Sequence, residues 1–216
     1  MQEVWNPEDL DLTGFIHYMQ EPGTASDNAS ISKVFTHLGV NDQMLELALA
    51  QPGVREFLTQ RYQPKPIALN VLLAMPESSF GYAWASFMQT NNLNPGFFQN
   101  LGAHDERSYL INRLHDTHDM WHVLLGFDTS EAGEAGMNAF TYAQVGSPTT
   151  CMLMAAKLVR AIAASEQTRF QMMSNISRGY HLGMRLSPFI AVAWEEYWRE
   201  PLSLLRSRFG LLDSDF

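Results

Sequence analysis

The chain has 216 residues, 46% of them hydrophobic, and a formal net charge of −9 at pH 7. It can therefore build a core, and with no basic cluster to neutralise phosphates it is unsuited to nucleic acid or to a polybasic membrane anchor. One cysteine, Cys151, excludes an internal disulfide or a zinc ribbon and points to reduced, cytoplasmic surroundings.

The opening MQEVWNPEDLDL is acidic and mixed, unlike a signal or transit peptide. Residues 1–30 end in the turn-rich EPGTASDNAS and read as a loosely ordered arm. Residues 31–212 read as one helical domain. Short helices follow Ser30, broken at 39–42 and 51–53, and prolines 64 and 66 make a connector. A capped helix is expected from about Phe80 to Gln89. Further helices are expected near 105–125, 130–145, 149–164, 166–186, 188–198 and 201–209, with Ser187-Pro188 as a start signal. No strand alternation of useful length occurs, so the expected class is all-α, a single-domain helical bundle. The most apolar window, CMLMAAKLVRAIAA, carries Lys157 and Arg160, so no membrane-spanning segment is expected.

Three of the seven histidines fall in RLHDTHDMWHVLLGFDTSEAGE, residues 113–134. His118 and His122 share a helical face, and Asp119 sits roughly 60° from His122. Gly126 suits the left-handed end of that helix. Asp128, with Glu131 three later, has the spacing of a capping box, so a second helix is expected to start near Thr129 and run back along the first. That places Glu134 at the height of His122, and the two helices then present His118, Asp119, His122 and Glu134 to one point. Two imidazoles and two carboxylates suit Zn²⁺, Fe²⁺ or Mn²⁺. The rival reading is a solvated acidic face with surface histidines. His115 is expected to lie outside the ligand set, and Asp116 and Glu131 to be surface or capping charges. Gly133 and Gly136 allow close approach by a ligand or, more commonly, by a packing neighbour. Cys151 is expected to be a small buried residue.

HDMWHVLLGFDTSEAGE follows the pattern HDxxH, eleven residues, E. It resembles the hallmark of the coenzyme Q protein four family of ubiquinone biosynthesis. PESSFGYAWASFM, FTYAQVGSP, RGYHLGMR and WEEYWREPLSLLRSRFGL resemble other segments of that family, so the likeness covers roughly residues 31–212. Ser78-Ser79 departs from the more usual Gly-Thr, and the His115-Asp116 pair is an addition. The resemblance implies an all-helical fold and a metal site made of His118, Asp119, His122 and Glu134, with Zn²⁺ the first choice and Fe²⁺, Mn²⁺ or Mg²⁺ as alternatives. It implies a lyase: loss of the C1 carboxyl from a polyprenylated 4-hydroxybenzoate, with or without oxidation at that carbon. It also implies a polyprenyl lipid or quinone precursor as ligand, peripheral contact with the inner membrane, and other quinone-biosynthesis enzymes as partners. A homodimer is the commonest oligomer by default.

The rival function is a non-catalytic prenyl-lipid-binding or assembly module with a structural metal. An HD-type phosphohydrolase fits less well, since His181 is the only later histidine. Met152, Met154, Met172, Met173 and Met184 could line a prenyl groove or simply form core. Arg178, Gly179 and Gly183 are expected on a helix beside that groove, and Glu195 is expected to accept the second N–H of a ligating histidine.

Overall fold

The computed structural model describes residues 12–20, 31, 40–95, 102 and 104–216. Among the described residues ten α-helices follow one another: α1 (Thr13–Gln20), α2 (Val40–Leu49), α3 (Val54–Gln60), α4 (Leu69–Leu73), α5 (Phe80–Thr90), α6 (Glu106–Leu125), α7 (Glu131–Val145), α8 (Pro148–Ala161), α9 (Glu166–Arg185) and α10 (Leu202–Arg208). No strand occurs among the described residues, and the all-α class stands. No helix among them is long and apolar enough to cross a membrane.

The starts of these helices are written in short polar side chains. Ser79, Ser130, Ser147 and Ser165 each accept a hydrogen bond from the backbone N–H three residues on, and Asp105 forms a reciprocal box with Ser108. Gly126 (φ 68°) and Gly146 (φ 66°) end α6 and α7 in the left-handed region.

The expected arm is only partly so. Residues 13–20 form α1, and its buried Tyr18 packs with Ile31 and with Leu153 and Ala156 of α8; most of residues 1–30 lies outside the described residues. The turn-rich EPGTASDNAS gave no hint of this helix before it. The expected helix 188–198 is replaced by two 3₁₀ turns, Phe189–Ala191 and Trp194–Tyr197. Gln144 explains the break. Its side chain donates to the carbonyls of Gly183 and Leu186 and accepts from the Phe189 N–H, so the backbone is captured before a new helix can propagate. The indole N–H of Trp194 then closes on the Phe189 carbonyl. The rings of Trp121, Phe140, Phe189 and Trp194 pack edge-on or tilted through the centre of the core.

Two distant segments meet at the start of α5. Phe80 and Gly81 donate to the carbonyls of Glu200 and Trp198, and Leu202 donates to that of Ser78. PESSF is thereby pinned to WREPL, which ties the C-terminal part of the fold to the helix beneath the histidines.

The glycines of α7 and α9 serve packing. A Cβ on Gly179 would meet the carbonyl oxygen of Gly136, and one on Gly183 would meet Ala143 and the Phe140 carbonyl. Both glycines face α7 rather than open space, and together they let the two helix backbones touch. Gly133 and Gly136 likewise face Asp128 and Phe127 of the preceding turn. Gly179→Ala therefore costs about 3 kcal/mol or more through overpacking. The expected fall in Tm is roughly 6–12 °C by calorimetry.

Candidate metal centre

His118 and His122 lie in the last two turns of α6, and Glu134 in the first turn of α7. The connection between them is short and held by hydrogen bonds at both ends. Gly126 and Phe127 return their N–H groups to the His122 carbonyl. Ser130, not Asp128, caps α7; Asp128 accepts from the Ser130 N–H and hydroxyl, bracing the capping residue from outside. The helix consequently begins at Glu131 rather than Thr129, and Glu134 still faces the histidines.

The donor atoms of His118, His122 and Glu134 all lie within 4.8 Å of one another. The two Nε2 atoms are 3.1 Å apart, His122 Nε2 is 3.2 Å from one Glu134 oxygen, and His118 Nε2 is 3.6 Å from the other. A divalent ion with bonds of about 2.1 Å in tetrahedral geometry separates its ligand atoms by about 3.4 Å. The cluster thus has the spacing such an ion requires.

The protonation pattern fits as well. His122 Nδ1 is 3.1 Å from the Phe127 carbonyl, which can only accept, so Nδ1 carries the proton and Nε2 presents a lone pair. His122 is 1% exposed, and Phe87 of α5 stacks on its ring at 5.6 Å. Burial disfavours the charged carboxylate of Glu134, but the adjacent His118 and His122 side chains outweigh it and hold the pKa well below the usual range. Burial likewise opposes a charged His118; Glu134, with help from Asp119, outweighs it and raises its proton affinity. A divalent cation held by the cluster would take the place of that proton.

Asp119 does not join the three donors in this structure. It lies about 100° round the helix from His118, and acts on that side chain through its charge instead. His115 is half-buried. Burial, and then the charge of His118, pull its pKa down to about 4. Between pH 6.5 and 4 the unfolded chain therefore binds a proton that the folded chain refuses. Stability falls as pH drops through that window, by up to about 1.4 kcal/mol per unit. His115→Gln flattens this acid limb in denaturant titrations run across pH 4–6.5.

Several residues that hold the centre come from far along the chain. Arg178 donates to the carbonyls of Leu125, Gly126 and Asp215 and lies 3.8 Å over the Phe127 ring. Arg206 donates to those of Val123 and Leu124. Two guanidinium groups thus satisfy the open carbonyls at the end of α6 and fix the turn that orients His122. Glu195 does not reach a histidine: it pairs with Arg113 at 2.6 Å, inside the core. Cys151 is exposed. Met172 is buried, whereas Met173 and Met184 are exposed.

An all-α domain carrying a two-histidine, one-carboxylate centre on a helical hairpin defines a class of metal-ready helical proteins. The family model for coenzyme Q (ubiquinone) biosynthesis protein Coq4 matches residues 16–215, and the chain belongs to that family. The mitochondrial ubiquinone biosynthesis protein COQ4 homologue of Bos taurus is 33% identical over 148 residues, 67% of this chain and 55% of that protein. The homologue from Anopheles gambiae is 24% identical over 196 residues, 88% of this chain and 64% of that protein. The chain thus spans little more than half to just under two thirds of these curated relatives. A candidate ubiquinone biosynthesis protein from Nostoc punctiforme, known from a crystal structure, superposes with a TM-score of 0.80 at 26% identity, covering 95% of this chain and 99% of that one.

Proposed function

We propose that this chain removes the C1 carboxyl group from a polyprenylated 4-hydroxybenzoate-type intermediate of ubiquinone or a related prenylquinone. His118, His122 and Glu134 hold the divalent cation it needs, Zn²⁺ first among the candidates. The three-donor cluster carries this reading. Among the described residues no fourth ligand is gathered with it. Catalytic sites keep a coordination position open, whereas structural sites are filled by protein. A cation held there would supply Lewis acidity toward the oxygens of the head group, with a proton taking the place of the departing CO₂ at C1.

The protein's own contribution is orientation and charge. Phe87 and the Phe127 carbonyl keep the His122 ring from turning. Glu134 stays ionised, and Asp119 adds negative charge beside His118. The test supplies zinc-loaded protein with 3-farnesyl-4-hydroxybenzoate labelled at the carboxyl carbon. Labelled CO₂ is expected from the wild type and not from Glu134→Ala. Failure of the wild type to release it overturns the decarboxylase reading.

A second reading rests on a different observation. Phe170, Met173 and Met184 on the outer side of α9 are 73%, 55% and 64% exposed. Such a stripe favours peripheral contact with the inner membrane, and a module that binds prenyl lipid and gathers quinone-biosynthesis enzymes there around a structural metal. Vesicle flotation that fails equally for the wild type and for a Phe170→Ser/Met184→Ser variant counts against it.

A further inference from the structure

Lys157 of α8 is a buried cation that the fold holds against a neutral partner alone. It is 5% exposed, and its ammonium donates at 2.7 Å to the hydroxyl of Tyr18, a neutral group. The same ammonium lies 5.1 Å from the Tyr18 ring centre. Among the described residues no ion pair takes up its charge. Removing an ammonium from water without an anion is costly, and a fold that keeps one in that state normally supplies the anion from elsewhere. Lys157 is also near the metal centre, close enough for its charge to act on His118.

A second group on the neighbouring helix has the same character. Asn138 follows Glu134 by one helical turn and so shares its face of α7. It is 4% exposed, and its amide nitrogen has no hydrogen-bond partner. Buried side-chain amides are nearly always bonded, and an unused one beside a reactive cluster points to a ligand atom.

We infer that Lys157 and Asn138 form an anion subsite beside the His118–His122–Glu134 cluster, which takes the carboxylate of an aromatic acid. The inference rests on the function proposed above and deepens it. Lys157 supplies charge and one hydrogen bond, its others being free of the Tyr18 hydroxyl. Asn138 supplies a neutral N–H to the second carboxylate oxygen. Neither residue is a metal ligand, so both act on the ligand's position and on discrimination between acid and uncharged analogue.

The test is calorimetric titration of metal-loaded protein with 3-farnesyl-4-hydroxybenzoate and with the matching 3-farnesyl-4-hydroxybenzyl alcohol, which lacks the charge. Lys157→Met should weaken acid binding about tenfold or more while leaving the alcohol unchanged. Asn138→Leu should weaken the acid by a smaller factor. Metal content should stay as in the wild type, and Tm should change little, because the loss of a buried charge without a counter-ion offsets the loss of its hydrogen bond to Tyr18. Equal acid affinity in the wild type and Lys157→Met overturns the subsite and leaves the proposed function standing. A wild type that binds neither probe overturns both. A marked fall in Tm for both variants assigns the residues to structure and overturns the subsite. Displacement of the acid by inorganic phosphate at lower concentration than by benzoate overturns the carboxylate assignment in favour of a phosphate.

Discussion

His118→Ala and Glu134→Ala each lose most of the bound divalent metal on purification, while His115→Ala keeps it. Elemental analysis per chain reads the result directly. Substitution of groups that merely orient metal ligands weakens binding by about 10–100-fold. Removing a donor from a set of three should do at least as much, because the fit of 3.1–3.6 Å separations is then lost. Asp119→Asn should have a smaller effect, since its carboxylate acts through space on His118. Full metal content in both the His118 and Glu134 variants would remove the centre from the account of function.

The second large effect lies in the core. Arg113 is 1% exposed and donates to both oxygens of Glu195 and to the Val192 carbonyl, with its guanidinium over the rings of Phe57 and Tyr62. Arg113→Met leaves the Glu195 carboxylate buried without a counter-charge, and Glu195→Leu leaves the guanidinium so. Each single change should cost about 3–5 kcal/mol in urea unfolding. The double variant Arg113→Met/Glu195→Leu should regain most of that loss, because both desolvated charges leave together. A double variant as unstable as the sum of the singles would show that the two charges act independently.

The metal hairpin was readable from local rules. Histidines one turn apart, a glycine stop and a carboxylate one turn into the next helix are all sequence-local, and helical periodicity converts them into geometry. Asp119 shows the limit of that reasoning: proximity on the helical wheel did not bring its carboxylate into the cluster. Glu195 and the 188–198 segment were misread because their partners, Arg113 and Gln144, lie about two turns before the metal pair on α6 and at the end of α7. No local pattern announces a side chain that will seize a distant backbone. Gly179 and Gly183 of α9 read as bordering a groove for the same reason, since a small residue permits close approach without naming what approaches. Sequence alone puts Arg178 beside a prenyl groove and does not single out Arg206; nothing short of the fold reveals that both reach the end of α6.

The donors all lie between positions 118 and 134, whereas the arginines that clamp the turn follow at 178 and 206. During synthesis the hairpin leaves the ribosome well before its clamp. A cation can therefore be captured by a nascent pair of helices, and the later segments then close over a turn already committed to its geometry. The order of events along the chain favours loading first and locking second.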